Sequence, residues 1–361
     1  MDYKEILREQ FNNIVDIDAL DEISRQTSEL SEGISDEFNI ESILEATVNG
    51  ESFFNNQALI SSFRELFMYE IKNALVLGTE ILLICIVIGL LRNLSSSFGN
   101  KSMSDISLLI CTMVIIGISV NSFRIAYRLA IDASAVMINT MGILTPILIA
   151  VLVATGGVTS GSILSPVILG SVTGFGIILK KIILPALFTA TILALVNCLT
   201  EKDYVNKLSK LLRSASVIVT GLIIAVLTGI ITVQGLISET SDSLLISTAK
   251  YSLSTFIPIV GGFTADTVEL FLRCMGTIKN IVGVFAMLTL VMIIIVPLIK
   301  ILIIALLYKL TAAVGEPICE NKISDGLNEM GSCLVSMASV LFFTALLFIM
   351  FVSILVRIGG A

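Results

Sequence analysis

From about residue 74 onward the chain alternates long apolar runs with short polar connectors, and the length of those runs predicts its elements. A helix of roughly 20 apolar residues crosses a hydrocarbon core of ~30 Å. By that measure residues 74–91, 106–120, 135–154, 217–237, 281–310 and 334–356 each read as a membrane span, the second open to continuation through Arg124 and Arg128. Residues 163–199 are too long for one span and divide into two near Lys180-Lys181. The expectation is seven to eight spans. Tyr251–Phe263 (YSLSTFIPIVGGF) is apolar but too short to cross, which predicts a re-entrant segment or short hairpin.

Residues 1–72 follow a different pattern. Ile6, Leu7, Phe11, Ile14, Val15, Leu20, Ile23 and Leu30 recur at helical spacing among acidic residues, and Asp36 and Asn39 are suited to cap further short helices, with Glu41 in a first turn. The fold class is therefore all-α: a small acidic helical head over 1–72 and a polytopic membrane domain over 73–361.

Composition sharpens this reading. The chain is 55% hydrophobic and only 14% charged, against about 25% charged in globular domains. Its net charge of −7 hides an asymmetry, because residues 1–60 hold fourteen acidic and three basic residues. No basic surface suited to tracking phosphates follows, so nucleic acid is not an expected partner. Histidine is absent, which removes imidazole bases and His metal sites, and no G-x-x-x-x-G-K-[ST] phosphate loop occurs. The chain reads as a non-enzyme without cofactor or metal. The six cysteines are scattered without a C-x-x-C pair and read as buried free thiols.

The apolar runs carry interruptions. Residues 142–199 contain Pro146, the pair Gly156-Gly157 and Pro185; a later stretch contains Pro258, the pair Gly261-Gly262 and Pro297. Such breaks free backbone polar groups that lipid cannot satisfy, so they are expected in a shared interior or a wet cavity, or else in loops between ordinary helices. Pro146 and Pro185 are 39 positions apart, as are Pro258 and Pro297. That spacing suggests a tandem repeat of 135–199 and 247–310. Glu80 and Lys300 are charges within spans. Each either pairs inside the bundle, as a pathway or gating group, or extends to the membrane interface.

Thr200–Ser214 (TEKDYVNKLSKLLRS) sets Tyr204, Leu208, Leu211 and Leu212 against Lys207, Lys210 and Arg213, predicting an amphipathic helix on an anionic membrane face. As the most basic loop it belongs in the cytoplasm. Five spans precede it, which puts the acidic head outside. An exported head in turn implies a cleavable signal ahead of the polar opening Met1-Asp2-Tyr3-Lys4-Glu5.

The blocks TPILIAVLVATGG, SPVILG, LPALFTATILALVNCL, the basic KLSKLLR, STAKYSLSTFIPIVGGFTADTVE, IKNIVGVF and VPLIKILIIALLYKLTAAVGEPI resemble the stage III sporulation protein AE family over most of residues 60–361. The resemblance implies a multi-pass protein of the mother-cell membrane around the forespore, working in the SpoIIIA–SpoIIQ channel complex as a permease-like or export-channel component. Other SpoIIIA proteins, SpoIIQ and the lipid bilayer are the implied partners, a homo-oligomer is compatible, and energy would come from a partner ATPase. Two alternatives stay open: a non-conducting scaffold for ring-forming partners, and a stand-alone secondary transporter.

Overall fold

A computed structural model describes residues 10–11, 15, 17–31, 56–98, 101–199, 205–256, 261–318 and 321–358. Regular structure among them is helical throughout: α1 (Ile17–Ser31), α2 (Asn56–Phe98), α3 (Lys101–Ala154), α4 (Val158–Ile178), a π-helical turn (Leu179–Ile183), α5 (Leu184–Asn197), α6 (Asn206–Phe256), α7 (Gly261–Gly315) and α8 (Asn321–Arg357). The expected caps Asp36 and Asn39, and Glu41, lie outside the described residues.

Six helical segments among the described residues are long and apolar enough to cross a membrane. The difference from seven or eight lies in continuity. The spans expected at 106–120 and 135–154 form the single helix α3, which carries Asn121, Arg124 and Arg128 through the gap between them without a turn. The two spans expected within 163–199 form one rod, α4, the π turn and α5, because the break at Pro185 is absorbed inside the helix. Residues 206–214 are not a separate surface helix but the first turns of α6. The expected re-entrant stretch is likewise shared, residues 251–256 ending α6 and 261–263 beginning α7, with 257–260 outside the described residues. The apolar segment of α7 alone has 46 residues. At about 1.5 Å per residue it reaches about 69 Å, over twice a hydrocarbon core.

Burial ranks the helices. In α7, 56% of the apolar window is buried, against 17% in α6; α7 is central and α6 peripheral. Helix α8 runs antiparallel to α7, with Gly283 beside Val356 and Gly331 beside Lys309. Helix α2 runs parallel to α7, with Gly78 beside Leu307 and Gly89 beside Ile318. The interior is filled by aromatic and branched side chains. Phe175 of α4 meets Phe348 of α8 edge-on at 6.4 Å between ring centres, and Phe123 and Tyr127 of α3 close around Phe188 of α5.

The head helix packs on the bundle rather than standing apart from it. Leu20 and Ile23 are fully buried, and α1 lies against α7 and α3, where the Asn139 amide donates to Gln26 Oε1 at 3.0 Å. Its outer face carries the Glu22–Arg25 pair at 2.8 Å.

Candidate functional site: helix breaks and buried charges

The break at Gly156-Gly157 is a closed structure. Gly156 has φ 95°, a conformation that costs a residue with a side chain about 1–2 kcal/mol. It lets the Gly157 amide donate to the Leu152 carbonyl and the Gly156 amide to that of Val153, both at 3.0 Å, satisfying the end of α3. Gly157 is needed for a second reason: a Cβ there would stand 2.8 Å from a Leu152 methyl and 3.0 Å from the Leu152 oxygen.

Helix α4 begins at once, and Gly157 offers no side chain to cap it. The missing acceptor comes from another helix. Asp242 of α6 is 3% exposed; its Oδ1 accepts from the Thr159 amide at 2.9 Å and its Oδ2 from the Ser160 amide at 3.0 Å. A carboxylate on free N–H groups at the positive end of a helix satisfies both partners. A mirror arrangement closes α8. Lys279 of α7, 1% exposed, donates to the Ile358 carbonyl at 2.6 Å, placing a cation at the negative end of that helix.

The second kind of break lies in α7. Pro297 is buried inside the helix and has no amide to offer the Ile293 carbonyl. One turn on, Lys300 Nζ lies 3.2 Å from Glu70 Oε1 of α2, with the two side chains 14% and 13% exposed. Lys300 thus finds a partner across the seam of α2 and α7. Glu80 does not: it lies on the exposed side of α2 and pairs with no cation among the described residues.

The other predicted positions are dispersed. Pro146 lies inside α3 on an exposed face, not in a shared interior. Pro185 is half-buried at the start of α5, directly after the π turn, where the Leu184 amide reaches back five residues to Leu179. That wider turn takes up the ladder position a proline cannot complete. Lys180 and Lys181 on it are exposed. Gly261 and Gly262 open α7, and Pro258 lies outside the described residues.

Several charged groups that organise the bundle escaped the sequence reading. Glu70 fell inside the stretch assigned to the head. Asp242 and Lys279 were passed over as connector residues. Glu329 of α8 binds Arg213 Nη1 at 2.6 Å and Lys210 Nζ at 3.1 Å, so two cations expected to face lipid headgroups instead hold α6 to α8. Beside this clamp Ala194, Asn197, Cys198, Asn206, Lys322 and Asp325 line a cavity of about 30 Å³. Burial, with Asp325 adding to it, pushes the Cys198 thiol up to about 11. No group of three Cys, Asp or Glu side chains placed to hold a metal occurs among the described residues.

Long apolar helices whose ionic groups meet across helix seams or at helix ends define an all-α polytopic membrane protein. The family model for stage III sporulation protein AE matches residues 38–359, and the chain belongs to that family. It is similar to the stage III sporulation protein AE of Bacillus subtilis (strain 168), 29% identical over 316 residues that cover 87% of this chain and 78% of that protein. No solved structure matches. Its role is in sporulation.

Proposed function

We propose that the chain is a permease-like, export-channel component of the SpoIIIA–SpoIIQ complex between mother cell and forespore, driven by a partner ATPase. The observation that carries this reading is the Glu70–Lys300 pair beside Pro297. Placing two charges inside an apolar bundle is costly, and such pairs in membrane proteins mark ion and substrate pathways. In this reading Lys300, Glu70 and Pro297 gate the pathway, and Gly156, Gly157, Pro146 and Pro185 shape the helices around it. Glu80, exposed on α2, is assigned to a surface that meets partner proteins.

The topology proposed is a cytoplasmic 198–206 connector with the head on the opposite side. Three rods precede that connector, namely α2, α3 and the α4–α5 rod. Three is odd, as five was, so merging spans leaves the sides unchanged. The division into 1–72 and 73–361, and a repeat of 135–199 in 247–310, remain part of the proposal.

The test pairs Lys300→Met with the double variant Lys300→Met/Glu70→Leu in sporulating cells, with assembly of the complex measured by co-purification. A conducting role predicts an assembled complex and failed sporulation in both. Normal sporulation by the double variant would remove the pair from any pathway. The scaffold reading has one observation in its favour: the cavity beside Cys198 is small, about 30 Å³. It predicts that every variant that assembles also sporulates.

A further inference from the structure

Helices α3 and α8 pack together and face outward with opposite chemistry. Ile115 of α3 and Leu327 of α8 border one cavity. Farther along, Ile138 packs on Gly176 of α4, whose neighbour Phe175 meets Phe348 of α8. Residues 121–146 of α3 therefore run abreast of residues 334–356 of α8. The α8 stretch contains no charge and turns Phe342, Leu346 and Met350 outward. Helix α6 does the same beside it: Gly235 packs on Ile354 and Ile358, and Leu222, Val226, Ile230 and Val233 are exposed. The α3 stretch differs. Asn121, Arg128, Asp132 and Asn139 are all exposed, and their spacing of seven, four and seven residues puts them on one face. Pro146 continues that face after another seven and has no amide to offer the Gly142 carbonyl. At ~1.5 Å per residue the stripe is about 38 Å long, enough to cross a hydrocarbon core of ~30 Å.

We propose that this face of α3 lines a water-filled groove across the membrane domain, with α1 lying in it. Lipid against α8 and α6 means lipid at the same depth on every side that neither water nor protein covers. Hydrocarbon cannot solvate a guanidinium, a carboxylate, two amide side chains and a freed carbonyl. Water can. Helix α1 supports the same conclusion independently. The Asn139 amide donates to Gln26 Oε1 and so fixes α1 on the stripe, while Asp18, Asp21, Arg25 and Glu29 of α1 are exposed on its other side. A helix seated on a lipid-facing surface would carry those four charges into hydrocarbon; a helix seated in a groove leaves them hydrated. A second copy of this chain does not suit the place, because three of the four charges are acidic and like would meet like. The inference rests on where charges fall along the rods and is independent of the conducting reading.

The chain has no tryptophan, so a single introduced one reports its own surroundings by fluorescence. Ile125→Trp on the α3 stripe and Phe342→Trp abreast of it on α8 replace side chains that are 52% and 46% exposed. Each full-length variant is placed in nanodiscs of phosphatidylcholine and phosphatidylglycerol, with or without bromine on the acyl chains. Acrylamide in the water is expected to quench Ile125→Trp several-fold more strongly than Phe342→Trp, and brominated lipid to quench them in the reverse order. Stronger quenching of Ile125→Trp by brominated lipid would put the stripe in hydrocarbon. No quenching of it by either agent would mean that protein covers it. Acrylamide quenching Phe342→Trp as strongly as Ile125→Trp would put this depth outside the bilayer. Any of the three overturns the proposal. Should Ile125→Trp fail to fold, Asp132→Cys takes its place. A membrane-impermeant maleimide, scored at that residue by peptide mass spectrometry, is expected to label it several-fold faster than Leu346→Cys on α8, and equal rates would overturn the groove.

Discussion

Two regions of the bundle interrupt an apolar helix, and they resolve the interruption in opposite ways. At Gly156-Gly157 the chain stops, turns and restarts; the carbonyls of α3 are taken by the two glycine amides, and the amides of α4 by Asp242. At Pro297 the helix continues, and the polar matter nearby is an ammonium and a carboxylate facing each other across two helices. The first region has its charge fixed by backbone groups that cannot move without unfolding a helix end. The second is held by two side chains, each free to change rotamer or partner. A break in an apolar run therefore does not by itself mark a pathway. What matters is whether backbone or side chains close it.

The largest expected effect is at Asp242. Asp242→Ala leaves the half-buried Thr159 and buried Ser160 amides without acceptors and a bare helix end, for about 4 kcal/mol of lost stability, since bonds to a charged group contribute ~1.5–3 kcal/mol each. Asp242→Asn keeps one acceptor and should lose about half as much. Thermal unfolding of the purified protein in detergent measures both. An Asp242→Ala protein as stable as wild type would mean the turn is not sealed from α6.

Lys300→Met comes next, at about 3 kcal/mol, because it strands Glu70 in a low-dielectric seam. Here the comparison makes a sharper demand. The double variant Lys300→Met/Glu70→Leu should recover most of that loss, as apolar replacement of a buried pair is often neutral. No second substitution of this kind should rescue Asp242→Ala, because its partners are main-chain amides. Recovery measured by the same unfolding assay, or its absence, decides whether the two regions differ as described.

The architecture was legible in residues 142–199 and 334–356, where apolar length and composition alone require helices that cross a bilayer. The number of crossings was not. Arg124 and Arg128 allow the 106–120 run to continue through them, but nothing in the sequence joins it to 135–154; both lie on the exposed side of a continuous α3, where a cation does not interrupt the helix. Lys300 could be read as a buried charge in need of a partner. Its partner could not, because Glu70 is 230 residues away and only the parallel register of α2 on α7 brings them together. Asp242 and Lys279 were hidden for a related reason. A carboxylate that caps a distant helix leaves no local pattern, whereas an N-cap within its own helix does.

Gly156→Ala isolates the backbone part of the sealed turn. The left-handed conformation at φ 95° should cost about 1–2 kcal/mol, and Gly156→Asn less, since asparagine tolerates it better. Equal losses for alanine and asparagine would place the cost in crowding rather than in the dihedral angle.

The smallest effect is expected at the opposite end of the same α4–α5 rod, where Cys198 borders the small polar cavity instead of a cap. Burial keeps its thiol neutral, so that it ionises at about 11 in place of the ordinary value near 9. In the unfolded chain the proton leaves first as the pH rises. Alkali therefore favours unfolding through this group between about pH 9 and 11, and below pH 9 its contribution is constant. Unfolding followed from pH 8 to 11 should show a decline in wild type that Cys198→Ala reduces, while the Asp242 end, which carries no thiol, stays unchanged over that range. A decline identical in the two proteins would mean that water reaches Cys198 freely, and that this end of the rod is as open as the Gly156 end is closed.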